Sequence, residues 1–243
     1  MTDAELAASL AQEASAFLLE LRASGRFSGR KLGDEGDRRA NVLIVDGLRR
    51  ERPEDGLLSE ESRDDGQRLA HDRVWIVDPV DGTREYGEGR ADWAVHIGLA
   101  VEGVASAGAV ALPAQGLILR SDRPVDLSPL PATPRIVVSR SRPPDEARIV
   151  EQALGGQITR MGSAGAKAMA VLRGEAEIYI HAGGQHEWDS CAPVAVAEAQ
   201  GLHCSRLDGS QLVYNRPETW LPDLLICRAE LAQDVLAALG REC

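Results

Sequence analysis

The residues best equipped for chemistry lie in one short run, Trp75-Ile76-Val77-Asp78-Pro79-Val80-Asp81-Gly82-Thr83-Arg84-Glu85-Tyr86. An apolar strand runs into Asp78, Pro79 and Gly82 impose a turn, and Asp81 and Thr83 follow within it. Two carboxylates on one rigid turn repel each other, which raises a pKa or costs stability, and a cation between them removes the conflict. Hard divalent cations take such oxygens, and Mg2+ in particular leans on one or two carboxylates plus a substrate phosphate. A turn with capping carboxylates is the plainer reading of Asp-Pro-x-Asp; the strand before it and the threonine after it favour the cation.

Other segments carry the same double meaning. Leu57-Leu58-Ser59-Glu60-Glu61 ends an apolar run in two glutamates, either a solvated loop or a source of a bridging carboxylate. Glu187-Trp188-Asp189-Ser190-Cys191-Ala192-Pro193 places Asp189 at the start of a helix, as an N-cap or as a further ligand. Asp37 has the same ambiguity at a second helix. Gly162-Ser163-Ala164-Gly165-Ala166-Lys167 opens another helix, where free N–H groups suit an anion and a simple Gly-Ser cap fits equally well. His181 and His186 flank Gly183-Gly184, but without cysteines at ligand spacing they read as parts of a mobile loop rather than a zinc site.

The elements that position these groups can be read from periodicity. Thr2-Asp3-Ala4-Glu5 has capping-box spacing, and Leu6, Leu10, Ala14, Phe17, Leu18 and Leu21 follow at helical period until near Gly25. Asp37 starts a second helix, with Val42, Leu43, Val45 and Leu48 partly on one face, arginines in its last turn and Pro53 beyond its end. Residues 94–101, 104–112 and 117–120 read as an antiparallel meander, so the first half is α+β. Residues 121–134 hold Pro124, Pro129, Pro131 and Pro134 and form a boundary, giving subdomains 1–122 and 135–243. Beyond it, strands (135–139, 157–161, 175–180, 202–206, 223–227) and helices (145–154, 164–173, 190–200, 229–239) make an α/β unit.

A net charge of −11 and the lack of any long Lys/Arg run exclude nucleic-acid binding through a basic face. The same charge would repel a phosphorylated substrate unless bound cations inverted the local field. The acidic N-terminus and the interruption of the most apolar stretch, 94–119, by His96, Glu102 and Pro113 argue against a signal peptide and a membrane span. Cys191, Cys204, Cys227 and Cys243 show no CxxC spacing and read as reduced thiols of a cytoplasmic protein, buried except at the chain end.

Taken together, Leu-Ser-Glu60-Glu61, then Asp78-Pro-Val-Asp81-Gly-Thr83, then Trp188-Asp189-x-x-Ala-Pro resemble the signature motifs of the inositol monophosphatase superfamily of lithium-sensitive, Mg2+-dependent phosphatases, over nearly the whole chain. Gly36-Asp37, Arg84-Glu85-Tyr86, Ala182-Gly183-Gly184-Gln185 and Arg206-Leu-Asp-Gly-Ser210 make it most similar to the bacterial CysQ-type 3′(2′),5′-bisphosphate nucleotidases. The resemblance implies a five-layer αβαβα sandwich and a site for two to three Mg2+ ions. By position, Glu60, Asp78 and the Val80 carbonyl would hold one ion, Asp78, Asp81 and Asp189 a second, and Glu60 would lie near a third. Asp37 and Thr83 correspond to the pair that orients and deprotonates the attacking water, the Gly82 and Thr83 amides would hold the phosphate, and Ser163 and Lys167 would meet the rest of the substrate.

The activity so implied is removal of the 3′-phosphate of adenosine 3′,5′-bisphosphate in sulfur assimilation, by a cytoplasmic enzyme compatible with a homodimer. Inositol monophosphate or fructose 1,6-bisphosphate are the alternative substrates, and an inactive metal-binding relative is a third reading. The haloacid dehalogenase pattern fits poorly, because Asp78 and Asp81 are separated by two residues rather than one. The segment around residues 29–33 looks like a loop shorter than the mobile metal-binding loop of many relatives.

Overall fold

A computed structural model describes residues 1–240. The first half runs α1 (Asp3–Ala23), α2 (Gly29–Glu51), β1 (Gly56–Ser59), β2 (Arg73–Asp81), α3 (Thr83–Gly87), β3 (Ala94–Val101), β4 (Val104–Leu112) and β5 (Leu117–Arg120). The second runs β6 (Arg135–Ser139), α4 (Asp145–Leu154), β7 (Gln157–Met161), α5 (Ala164–Leu172), β8 (Ile178–His186), α6 (Glu187–Ala199), β9 (His203–Ser205), β10 (Trp220–Cys227) and α7 (Ala232–Ala238). Residues 121–134 between them carry neither helix nor strand.

Each half builds one five-stranded sheet, ordered β1-β2-β3-β4-β5 and β7-β6-β8-β10-β9. The first is antiparallel except for β1 on β2; in the second, β6 pairs in parallel with β7 and β8, while β10 is antiparallel to β8 and β9. Strand alternation sends side chains into separate cores. In β2, Trp75 and Val77 join Leu10, Leu18, Ile44 and Leu48 of α1 and α2, whereas Val74 and Ile76 face the core shared with α5, α6 and the second sheet. Ile136, Ile178 and Ile180 pack outward against Val150 of α4 and Val235 of α7. The order of layers is therefore α1/α2, sheet, α5/α6, sheet, α4/α7, the αβαβα sandwich expected. Among the described residues no helix is long and apolar enough to cross a membrane.

The central helix α6 is buried from Ser190 to Ala197 and is built from small residues because sheets press on it from both sides. A Cβ on Gly98 of β3 would lie 2.7 Å from the Ala192 nitrogen, so the glycine sets how closely α6 approaches the sheet. At the opposite end of the chain the capping box at Thr2 and Glu5 is formed in both directions, at 2.9 and 3.2 Å.

Four expectations need correction. Helix α2 starts at Gly29 rather than Asp37, so Asp37 is an interior residue and residues 29–33 are helix, not loop. Low glycine propensity is overridden here by packing: Cβ atoms on Gly33 and Gly36 would sit 2.8 Å from Thr83 Cγ2 and 2.6 Å from Tyr86 Cε1, so α2 can lie on α3 only without them. Strand β2 does not turn at Pro79 but continues to Asp81 through a bulge between Asp78 and Asp81, where the missing proline N–H breaks no ladder bond. Residues 183–184 are not a mobile loop; β8 runs through them and pairs with β10 to His186, with φ of 93° and 97° at Gly183 and Gly184. Helix α6 starts at Glu187, which makes Asp189 its third residue and His186 its cap. Cys191 and Cys227 are buried and Cys204 partly buried, all as free thiols, while Cys243 lies outside the described residues.

Candidate active site

The bulge at the end of β2 aims consecutive groups at one point. Asp78 Oδ1 accepts the Val80 N–H at 3.0 Å, and Gly82, at φ 89°, swings the chain from strand into α3. Thr83 Oγ1 then stands 3.0 Å from Asp37 Oδ2 and 3.1 Å from the Val80 carbonyl. Glu60 joins from the end of β1, held by its N–H on the Val77 carbonyl at 3.2 Å. Asp189 arrives from α6, its Oδ2 accepting the His186 N–H at 2.6 Å. Ligand atoms of Asp78, Asp81 and Asp189 lie within 4.8 Å of one another.

Electrostatics mark this cluster as incomplete without positive charge. Burial, reinforced by Glu61 and Glu60, raises the Asp37 pKa to about 8, and among the described residues its buried Oδ1 has no hydrogen-bond partner. Burial and then Asp189 raise Glu60 to about 7, although its residue reaches solvent. Burial and then Glu60 push Asp78 far up, and burial and then Asp81 push Asp189 up. Oxygen donors, convergent negative charge and an orphaned buried oxygen fit a hard divalent cation.

Asp81 differs from its neighbours. Burial alone would raise its pKa, but the charge and contact of His96, then Lys167 and the Gly165 amide, outweigh it and hold the carboxyl down at about 2. It accepts the Ala164 N–H at 3.1 Å and the Gly165 N–H at 2.6 Å, so a first-sheet aspartate satisfies the orphan amides of second-half helix α5.

From Asp81 and Asp189 a cleft of about 200 Å3 passes Gly82 and Ser163 to Lys167, Arg140 and Arg142. Ser163 Oγ caps α5 by accepting the Ala166 N–H at 3.0 Å, so its own proton is free for another acceptor. Lys167 donates to the Gly162 and Ser163 carbonyls, and burial lowers its pKa to about 8. Arg140 pairs with Glu85 at 2.5 Å, whereas among the described residues no acid pairs with Arg142, which is exposed. Of the residues given a role by the resemblance, Asp81, Gly82, Ser163, Lys167 and Asp189 line this cleft, and Asp37, Glu60, Asp78, Val80 and Thr83 gather at its carboxylate end. Missed were Arg140 and Arg142, whose only signal was a basic pair after a strand, and His96, a lone histidine in an apolar strand.

The pKa pattern yields a stability test. Carboxyls raised in the folded state bind protons more tightly there than in the unfolded chain, so the stability they contribute is full below about pH 4 and is lost as pH rises to about 8. Without divalent cations the melting temperature should fall by roughly 5 °C or more between pH 5 and 8, and Mg2+ should raise it far more at pH 8 than at pH 5. Calorimetry in chelator and in Mg2+ checks this, and a metal-free melting temperature flat across that range contradicts it.

Comparison with known proteins agrees with the geometry. The inositol monophosphatase family profile matches residues 4–242. A protein of Mycobacterium leprae (strain TN) named 3′-phosphoadenosine 5′-phosphate phosphatase is 49% identical over 254 residues, covering 98% of this chain and 94% of its own. The 3′(2′),5′-bisphosphate nucleotidase CysQ of Escherichia coli (strain K12) is 33% identical over 199 residues, covering 75% and 79%. The crystal structure of inositol monophosphatase II from Staphylococcus aureus MSSA476 superposes with a TM-score of 0.81 at 20% identity, over 96% and 91% of the two chains, and shares the fold.

Proposed function

The chain belongs to the inositol monophosphatase family, and on that footing we propose that it is a Mg2+-dependent phosphatase hydrolysing adenosine 3′,5′-bisphosphate to AMP and phosphate. The observation that carries the reading is the two-ended charge of the cleft: buried carboxylates at one end, Ser163, Lys167 and Arg142 at the other. A substrate with a phosphate at each end suits it, its scissile group among cations and its second phosphate towards Arg142. Among relatives, the names of those from Mycobacterium leprae and Escherichia coli denote this activity. With it goes the sulfur-assimilation role expected from the resemblance.

In this reading Glu60, Asp78 and the Val80 carbonyl hold one Mg2+, Asp78, Asp81 and Asp189 a second, and Glu60 borders a weaker third. The chemistry Mg2+ supplies there is a lowered water pKa and charge stabilisation along an in-line displacement. Thr83 Oγ1, able to donate to Asp37 or Val80, turns a lone pair outward to orient the attacking water, and Asp37 receives the proton. The Gly82 and Thr83 amides hold the phosphoryl oxygens; the water oxygen bonds to phosphorus as the bond to the 3′-oxygen breaks, that oxygen takes a proton from solvent water to leave as a hydroxyl, and Asp37 returns its proton to solvent. Residues 1–122 supply most of the metal ligands; 135–243 supply Asp189 and the substrate contacts.

The test is Mg2+-dependent phosphate release from adenosine 3′,5′-bisphosphate, inositol 1-phosphate and fructose 1,6-bisphosphate, compared by kcat/KM. Strong preference for the nucleotide upholds the reading; equal rates, or preference for another substrate, replace the substrate and keep the metal chemistry. Arg142→Ala sharpens it. Loss of one charge-assisted contact to the second phosphate should raise KM for the nucleotide roughly tenfold, with a much smaller change for inositol 1-phosphate. Equal changes in both would remove Arg142 from the second-phosphate site.

A further inference from the structure

His96, in the middle of β3, is completely buried, and both its ring nitrogens face acceptors. Nδ1 stands 3.1 Å from the carbonyl of Trp188, the residue before Asp189, and Nε2 stands 3.1 Å from Asp81 Oδ2. The second contact is a close approach rather than an aligned hydrogen bond, and among the described residues Nε2 has no other polar partner. One ring thus touches a carboxylate from the first sheet and the backbone that delivers another carboxylate from α6. We propose that His96 is a positioning residue, a crossbar that fixes Asp81 relative to Asp189 and so sets the spacing and orientation of the cation ligands. The inference rests on the reading of Asp81 and Asp189 as ligands.

Lone-pair accounting shows what the crossbar achieves. A carboxylate offers about four acceptor sites. Gly165 N–H takes a site on Oδ2, His96 Nε2 stands 3.1 Å from that same oxygen and shields it, and Ala164 N–H takes a site on Oδ1, which leaves Oδ1 as the oxygen open to a cation. Asp81 is thereby a one-oxygen ligand of fixed direction. Supports of this kind change metal affinity by about 10- to 100-fold when removed.

The space for the ring is reserved by a neighbour. A Cβ on Gly165 would lie 2.0 Å from His96 Nε2, closer than any real contact. Glycine is a poor helix former, and the imidazole explains its presence in the first turn of α5.

Two variants separate positioning from packing. An Asn amide can stand where Nδ1 does but falls short of Asp81, whereas a Gln amide can stand where Nε2 does. Mn2+ affinity, read by paramagnetic resonance of free Mn2+, should weaken about 10- to 100-fold in His96→Asn and return to within a few-fold of the unaltered protein in His96→Gln. In turnover the same split should appear as a raised Mg2+ concentration for half-maximal rate, with kcat at saturating Mg2+ changed much less. Gly165→Ala, which displaces the ring without altering it, should reproduce the His96→Asn loss. Unchanged Mn2+ affinity in His96→Asn, or equal loss in Asn and Gln variants, overturns the proposal. Asp189→Asn is the control for its premise: if that variant binds Mn2+ as the unaltered protein does, it is the cation reading of the acidic cluster that fails, whatever His96 shows.

Discussion

Asp78→Asn should lower kcat/KM by about 10^3-fold or more, corresponding to several kcal/mol of lost charge stabilisation at the reacting phosphate. In the same variant the metal-free protein should melt no lower than the unaltered one at pH 8. Both follow from one fact: Asp78 is buried among Glu60, Asp81, Asp37 and Asp189, and burial, then their charges, drives its pKa far above the usual value. Asparagine keeps the volume and the oxygen that accepts the Val80 N–H, but removes a negative charge that only a cation compensates. Stability and activity are therefore set against each other at this position, a common outcome where a site stores repulsion for its ligand. Kinetics beside calorimetry in chelator decide the matter, and a variant that retains turnover, or loses it by melting early, contradicts the argument. Asp81→Asn would be a less clean probe. Its carboxylate also satisfies the Ala164 and Gly165 amides and faces His96, so an amide group there would set N–H against a donor and loosen α5.

Local signals carried much of this molecule into view. The Thr2-to-Glu5 capping box, the meander of β3 to β5 and the acids at the end of β2 are each short-range patterns, and each maps onto the structure where the spacing placed it. Asp189 was visible for the same reason, as an acid at the start of an apolar helix. What stayed hidden depends on partners distant in the chain. The first turns of α2 hold three glycines and no amphipathic stripe; only contact with Thr83 and Tyr86 makes a helix the best state for them. Gly183 and Gly184 read as a break until β10 supplies a strand to pair with. His96 looked like an interruption in an apolar run, because its meaning lies in Asp81, Gly165 and Trp188, which no spacing rule connects.

Thr83→Val should cut kcat by about 10^2- to 10^4-fold, the usual range for a proton-transfer residue, without moving the Mg2+ concentration that gives half-maximal rate. The side chain keeps its size and loses only the hydroxyl that bridges Asp37 Oδ2 and the Val80 carbonyl. A hydroxyl has one proton to give, and here two acceptors compete for it, so whichever receives it, a lone pair on Oγ1 remains for a water in the cleft. Asp37 is the better final acceptor. Its buried carboxyl is in contact with the hydroxyl, and without cations burial and then Glu61 and Glu60 raise its pKa to about 8, so it holds a proton more readily than an ordinary aspartate. Valine removes the water's acceptor while every carboxylate of the cluster stays in place, which is why metal dependence should be spared. Thr83→Ser keeps the hydroxyl and should remain within about tenfold of the unaltered rate. Steady-state rates across a Mg2+ titration separate the cases: a Val variant restored by excess Mg2+ would make Thr83 a support for the cation site instead, acting through the Val80 carbonyl it also touches.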